Sequence, residues 1–159
     1  MLLCKRHVVI SLLSLTGLRM AKSSLAPSSP SSPYTLSPLP KLGVEVHGIS
    51  LQKDPSEEVI QRIKDDVTHH RLVVFRDQGD ISGQRQVEIS RWFGELESTF
   101  YKHPHSPHPD VFRVSNDEAE GCRNVGRTGW HIDGSFQEAP FSYSLYHIVN
   151  VPDQGDTGK

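Results

Sequence analysis

Residues 129–136 read "GWHIDGSF", and residues 140–149, "PFSYSLYHIV", alternate apolar and polar positions directly after them. The alternation of Phe141, Tyr143, Leu145, His147 and Val149 predicts a strand in a half-buried sheet. If the strand character extends back through the first stretch, His131 and Asp133 project from one face about 7 Å apart, with Ile132 turned to the opposite layer. An imidazole and a carboxylate so placed can chelate one metal ion. Joined by a distant second histidine, they make the facial set that holds non-haem Fe(II) and leaves three positions open. Taken alone, the same tripeptide also fits an exposed strand pair or a hydrogen-bonded core histidine.

The preceding residues supply the frame. "LGVEVHGISL" (42–51) predicts a strand bent at Gly48. "DPSEEVIQRIKDDVTHH" (54–70) predicts a helix with Asp54 as N-cap, Pro55 at its first position, Glu57 at the third and an apolar stripe of Val59, Ile60, Ile63 and Val67. A short buried strand is expected over Leu72–Phe75, then a helix from a Ser82 cap to Phe93, closed by Gly94. Beyond Glu95 come a proline-broken loop, a short strand "VFRV" (111–114) and a polar loop that leads into the opening motif. Helices in front of short strands with long loops imply an α+β chain built around a β-sandwich or barrel.

The front end is a different kind of polymer. Residues 1–44 carry five Lys or Arg and no Asp or Glu, which leaves 12 basic against 19 acidic residues from Glu45 onward. The uncharged run Val8–Leu18 is too short to span a bilayer but long enough for a signal-peptide core, so residues 1–22 are a candidate targeting segment. Arg19 and Lys22 follow the run directly. An organelle transit peptide, or a start at Met20, therefore fits better than secretion, and a mitochondrial or cytoplasmic protein is expected ahead of a secreted one. Between Ser23 and Pro40, twelve of eighteen residues are Ser or Pro, which predicts a disordered linker over 23–40 and a folded part over 41–159.

At 159 residues the chain can build one domain, and its net charge of −2 gives no reason to expect nucleic acid as a partner. No membrane span is expected. Two cysteines, Cys4 and Cys122, with no CxxC pair, leave no basis for a zinc finger or a disulfide scaffold. His103, His105 and His108 are interrupted by prolines and read as a solvated loop rather than a second metal set.

With its flanks, "WHIDGSFQEAPFSYSLYHIVNVPDQGDT" (130–157) resembles the taurine dioxygenase / 2,4-dichlorophenoxyacetate dioxygenase family of Fe(II)- and 2-oxoglutarate-dependent oxygenases. The family pattern is Trp-His-x-Asp-x-(Ser/Thr)-Phe, then a proline, an alternating strand, a second proline and Gly-Asp-Thr. It is met here by Trp130, His131, Asp133, Ser135, Phe136, Pro140, Pro152, Gly155, Asp156 and Thr157. "LGVEVHGISL", "VVFRDQ" and "WFGEL" look like the family's opening strand, second strand and helix end, in the same order.

The resemblance implies a double-stranded β-helix (jelly roll) with flanking helices, incomplete at the C-terminus. It also implies His131 and Asp133 as Fe(II) ligands and Thr157 as a contact to 2-oxoglutarate. Tyr101, His103 and Arg127 fall in the segments that line the family's substrate side, where an Arg could pair with a sulfonate or carboxylate. The implied reaction couples oxidative decarboxylation of 2-oxoglutarate by O2 to hydroxylation of a small organic acid such as a sulfonate.

No position after His147 matches the family's second histidine ligand or its 2-oxoglutarate arginine. The 159 residues are therefore expected to be the front portion of such an enzyme, inactive alone. The competing expectation is a non-catalytic jelly-roll module that binds a small ligand or a partner; a cupin-like protein holding another divalent metal is a third. Nothing in the sequence bears on oligomeric state.

Overall fold

The computed structural model describes residues 7–12, 33–97, 101–123 and 133–150. They build a five-stranded mixed sheet with two helices: β1 (His7–Leu12), β2 (Thr35–Pro38), β3 (Val44–His47), α1 (Glu57–His70), β4 (Leu72–Phe75), α2 (Gly83–Arg91) and β5 (Tyr143–Ile148). The strand order is β2-β3-β4-β1-β5, with β3 and β4 parallel and every other neighbour pair antiparallel.

The apolar run near the N-terminus thus supplies a strand flanked on both sides. Val8 and Ile10 are fully buried; Ile10 lies opposite Val73 on β4 and Leu145 on β5. A strand hydrogen-bonded along both edges and buried on one face wants a short, uncharged, β-branched run, which "HVVISL" provides. The Ser/Pro-rich stretch contributes as well. Tyr34 is buried, and Thr35–Pro38 forms the outer strand, where a proline costs no ladder bond if its missing donor faces outward. The sheet therefore draws on residues from both the candidate targeting segment and the expected linker, and ordered structure starts well before Lys41.

Alternation gives the sheet two distinct faces. One carries Leu36, Val44, Val46, Val73, Phe75, Val8, Ile10, Tyr143 and Leu145, packed with Ile63 and Val67 of α1 and Ile89 of α2. The other carries, in register across the sheet, Glu45, Val74, Val9 and Tyr146.

Helix α1 starts two residues later than Pro55: its N-cap is Ser56, which makes no side-chain cap bond, while Asp54 instead pairs with Arg85. It ends where Arg71 adopts φ 69° and donates its N–H to the Val67 carbonyl, reversing the chain straight into β4. The bounds of β4 match the sequence expectation, as does the Ser82 cap of α2, whose side chain accepts from the Arg85 N–H at 3.1 Å. Residues 111–114 do not form a strand; only Val114 bridges to Cys122, because the segment is held by loop contacts rather than by a neighbouring strand. Between β2 and β3, Gly43 takes φ 85° and lies so close to β4 that a Cβ there would sit 2.4 Å from the Leu72 carbonyl oxygen.

Two buried polar side chains fix the loop after β3. Gln78 accepts from the Leu51 N–H at 2.7 Å and donates to the Ile49 and Arg76 carbonyls at 3.0 and 2.8 Å. Arg85 donates to the Leu51 and Lys53 carbonyls at 2.7 and 2.8 Å, reaches Asp54 and Glu88, and lies over the Trp92 ring.

Tyr34 donates to Asp66 on α1 at 2.6 Å and packs under the Arg62 guanidinium, tying the start of β2 to the helix. Burial, then the Asp66 hydrogen bond and charge, push its phenol far above the ordinary tyrosine value. A raised folded-state pKa stabilises the fold at all pH values below the unfolded value of about 10 and loses that contribution as pH climbs above it. Tyr34→Phe is expected to cost about 1 kcal/mol at neutral pH and to flatten the alkaline loss of stability. Denaturant midpoints measured at pH 7 and pH 10.5 check both.

Candidate metal centre

Asp133 does not sit mid-strand. It opens a turn over residues 133–136, closed by the Gln137 N–H donating to the Gly134 carbonyl at 2.9 Å. Gly134 takes φ 72°, and a Cβ there would meet the Phe141 ring at 3.1 Å, so the turn is seated directly on the residue that leads into β5. Polar contact follows the packing: the Tyr146 hydroxyl, on the sheet face away from the helices, donates to Asp133 Oδ2 at 3.2 Å. Burial pushes the Tyr146 phenol up; a Ser144 hydrogen bond pulls it down, and the Asp133 charge and hydrogen bond push it up again. The phenol is thus held protonated and can act only as a donor toward the carboxylate at neutral pH.

The loop over residues 101–123 is built from its own contacts. Tyr101 is 56% exposed and stacks on Phe112 with ring centroids 5.3 Å apart. His103 accepts the His105 N–H at Nδ1 and approaches the Glu118 carbonyl at Nε2, both at 3.1 Å, so its ring knits the loop together. Arg113 clamps the same loop to Glu120. Of the six candidate site residues, Asp133, Tyr101 and His103 are placed; His131, Arg127 and Thr157 lie outside the described residues. Among the described residues, no group of three or more His, Cys, Asp or Glu could hold a metal ion, and no helix is long and apolar enough to cross a membrane.

The family model for the taurine catabolism dioxygenases, TauD and TfdA, matches residues 35–158. The chain belongs to this family. The match takes in every strand from β2 onward, both helices and the turn bearing Asp133. Among curated relatives in keeping with this family, the chain is 33% identical over 129 residues to an alpha-ketoglutarate-dependent sulfonate dioxygenase of Saccharomyces cerevisiae, covering 73% of this chain and 30% of that protein. It is 30% identical over 128 residues to the alpha-ketoglutarate-dependent 2,4-dichlorophenoxyacetate dioxygenase of a Burkholderia species, covering 71% and 43%. To the alpha-ketoglutarate-dependent sulfate ester dioxygenase of Pseudomonas putida it is 29% identical over 120 residues, covering 74% and 38%. The chain therefore spans less than half of each of these three relatives. No solved structure matches it.

Membership in the taurine catabolism dioxygenase family implies 2-oxoglutarate as cosubstrate and Fe(II) as metal. Asp133 fits that metal: it is an exposed carboxylate, a hard oxygen donor, steadied at one oxygen by a phenol anchored on a paired strand. Tyr146 was not singled out from the sequence. Its signal was its phase: it lies on the opposite side of β5 from Tyr143 and Leu145, one of two outward positions between them and the strand's end.

Proposed function

We propose that this chain supplies the first half of the active site of an Fe(II)- and 2-oxoglutarate-dependent dioxygenase that hydroxylates a small organic anion, a sulfonate or sulfate ester. The observation that carries the reading is the Trp-His-x-Asp block at residues 130–133 within a family match over residues 35–158. His131 and Asp133 hold the metal, Thr157 contacts 2-oxoglutarate, and Tyr101, His103 and Arg127 face the substrate. The sheet belongs to a double-stranded β-helix. The bound metal and cosubstrate supply the oxidising chemistry: 2-oxoglutarate, O2 and a substrate C–H become succinate, CO2 and a C–OH.

The chain's own residues contribute placement. A carboxylate fixed at a turn against β5 holds its share of the metal while open positions remain for cosubstrate and O2. Relatives named for sulfonate, sulfate ester and aryloxyacetate substrates share an anionic substrate group, which an arginine such as Arg127 would pair with.

With the Trp-His-x-Asp block supplying two protein ligands of a three-ligand set, residues 1–159 alone are expected to bind divalent metal weakly and to form no succinate. A longer form of the chain that adds a histidine ligand and a 2-oxoglutarate arginine should turn over. Succinate formation with Fe(II), 2-oxoglutarate and taurine, an alkyl sulfate or an aryloxyacetate measures this. Turnover by residues 1–159 alone, or metal binding by the extended chain without any effect of 2-oxoglutarate, would sink the reading.

A further inference from the structure

From the hydrogen bond that crosses from β5 to the turn at Asp133, we infer that Tyr146 is a positioning residue for the metal centre, orienting the Asp133 carboxylate before metal arrives. This rests on the reading of Asp133 as a metal ligand.

Asp133 is exposed at the head of a turn, and an exposed aspartate samples several rotamers, of which a metal accepts few. Tyr146, in contrast, stands on a strand paired residue by residue with β1, from His7 opposite Ile148 to Leu12 opposite Tyr143. The 3.2 Å contact spans 13 residues of sequence and joins the turn at Asp133 to a paired strand.

Two effects oppose each other. Donation to Oδ2 draws charge from the carboxylate and weakens it as a ligand, while fixing the rotamer spares the metal an ordering cost. A hydrogen bond at the long end of the range withdraws little charge but still selects an orientation, so positioning wins. Residues supporting a ligand in this way are worth roughly 10- to 100-fold in metal affinity, and the long contact puts Tyr146 near tenfold.

Tyr146→Phe keeps the ring and deletes the donor. With Co(II) as a redox-stable probe on residues 1–159, the variant is expected to bind about tenfold more weakly and to show altered visible absorption bands of the bound ion. The thermal midpoint of the metal-free chain should be unchanged. Asp133→Ala should lose Co(II) binding altogether. If Asp133→Ala loses binding while Tyr146→Phe keeps both affinity and spectrum, the positioning role is overturned and the ligand reading stands. A metal-free midpoint that drops in step with affinity would reduce Tyr146 to a packing role and likewise overturn it. No Co(II) uptake by the parent chain, or uptake indifferent to Asp133→Ala, overturns the ligand reading and the inference with it.

Discussion

Ile10→Asp is expected to abolish the cooperative fold. Ile10 is fully buried in β1, between Val73 and Leu145. Truncating such a side chain costs about 2–5 kcal/mol through lost transfer energy and the cavity left behind. A carboxylate adds the cost of burying a charge with no partner on that apolar face, several kcal/mol more even after its pKa adjusts. Against a net stability of about 5–15 kcal/mol for a domain, the total leaves little or nothing. Ile10→Val, which removes one methylene, should cost only about 0.5–1.5 kcal/mol. Far-ultraviolet circular dichroism and thermal melts of the two variants check the pair. A normal melt for Ile10→Asp would mean that β1 does not occupy the sheet in solution. Deleting residues 1–22 should match Ile10→Asp, since among the described strands β5 is hydrogen-bonded to β1 alone.

The second large effect is expected at Arg85. Its ion pairs are the less important part: Asp54 is 81% exposed in its side chain, and such pairs contribute at most about 1 kcal/mol. What matters is the main chain. Arg85→Met leaves the Leu51 and Lys53 carbonyls without their donor, one of them at a fully buried residue, at about 1–3 kcal/mol each. A loss of about 2–4 kcal/mol follows, on the order of 10 °C in Tm for a domain of this size. Asp54→Ala should move Tm by only a degree or two. Arg85→Lys should behave like Arg85→Met, because a single ammonium cannot span both carbonyls as the guanidinium fork does. Equal shifts for Asp54→Ala and Arg85→Met would show that the charge pair, not the backbone, is what Arg85 supports.

Local chemistry made parts of this fold legible in the sequence. "LVVF" between a helix and polar turn residues could only be a short buried strand, and Ser82 stands where a cap must. Competing partners shifted other boundaries: Asp54 looked like a cap until Arg85 claimed its carboxylate, and the helix starts after Ser56 instead. The run beginning at Val8 was ambiguous for a physical reason. An uncharged stretch suited to a targeting peptide is equally suited to a strand enclosed by two others, and only the partners, which lie far away in sequence, distinguish them. Thr35–Pro38 was hidden by its composition, since an edge strand tolerates the serine and proline that elsewhere mark a linker. At the candidate site, Asp133 was visible because its flanks carry a family pattern. Tyr146 was invisible because an outward tyrosine on a strand says nothing until a turn is folded against it.

The pairing of β1 also sets a timetable. Leu12 meets Tyr143, 131 positions later, so one edge of β1 stays bare until nearly all of these residues have been made. At ribosomal rates of about 5–20 residues per second, that wait is on the order of ten seconds. Throughout it, an apolar strand with an unpaired edge is presented to whatever else is in the compartment. Closing so long a loop is expected to slow folding. Its yield on synthesis should therefore depend on how well the nascent front end is shielded, and holding chaperones should raise soluble recovery more than a lower temperature does.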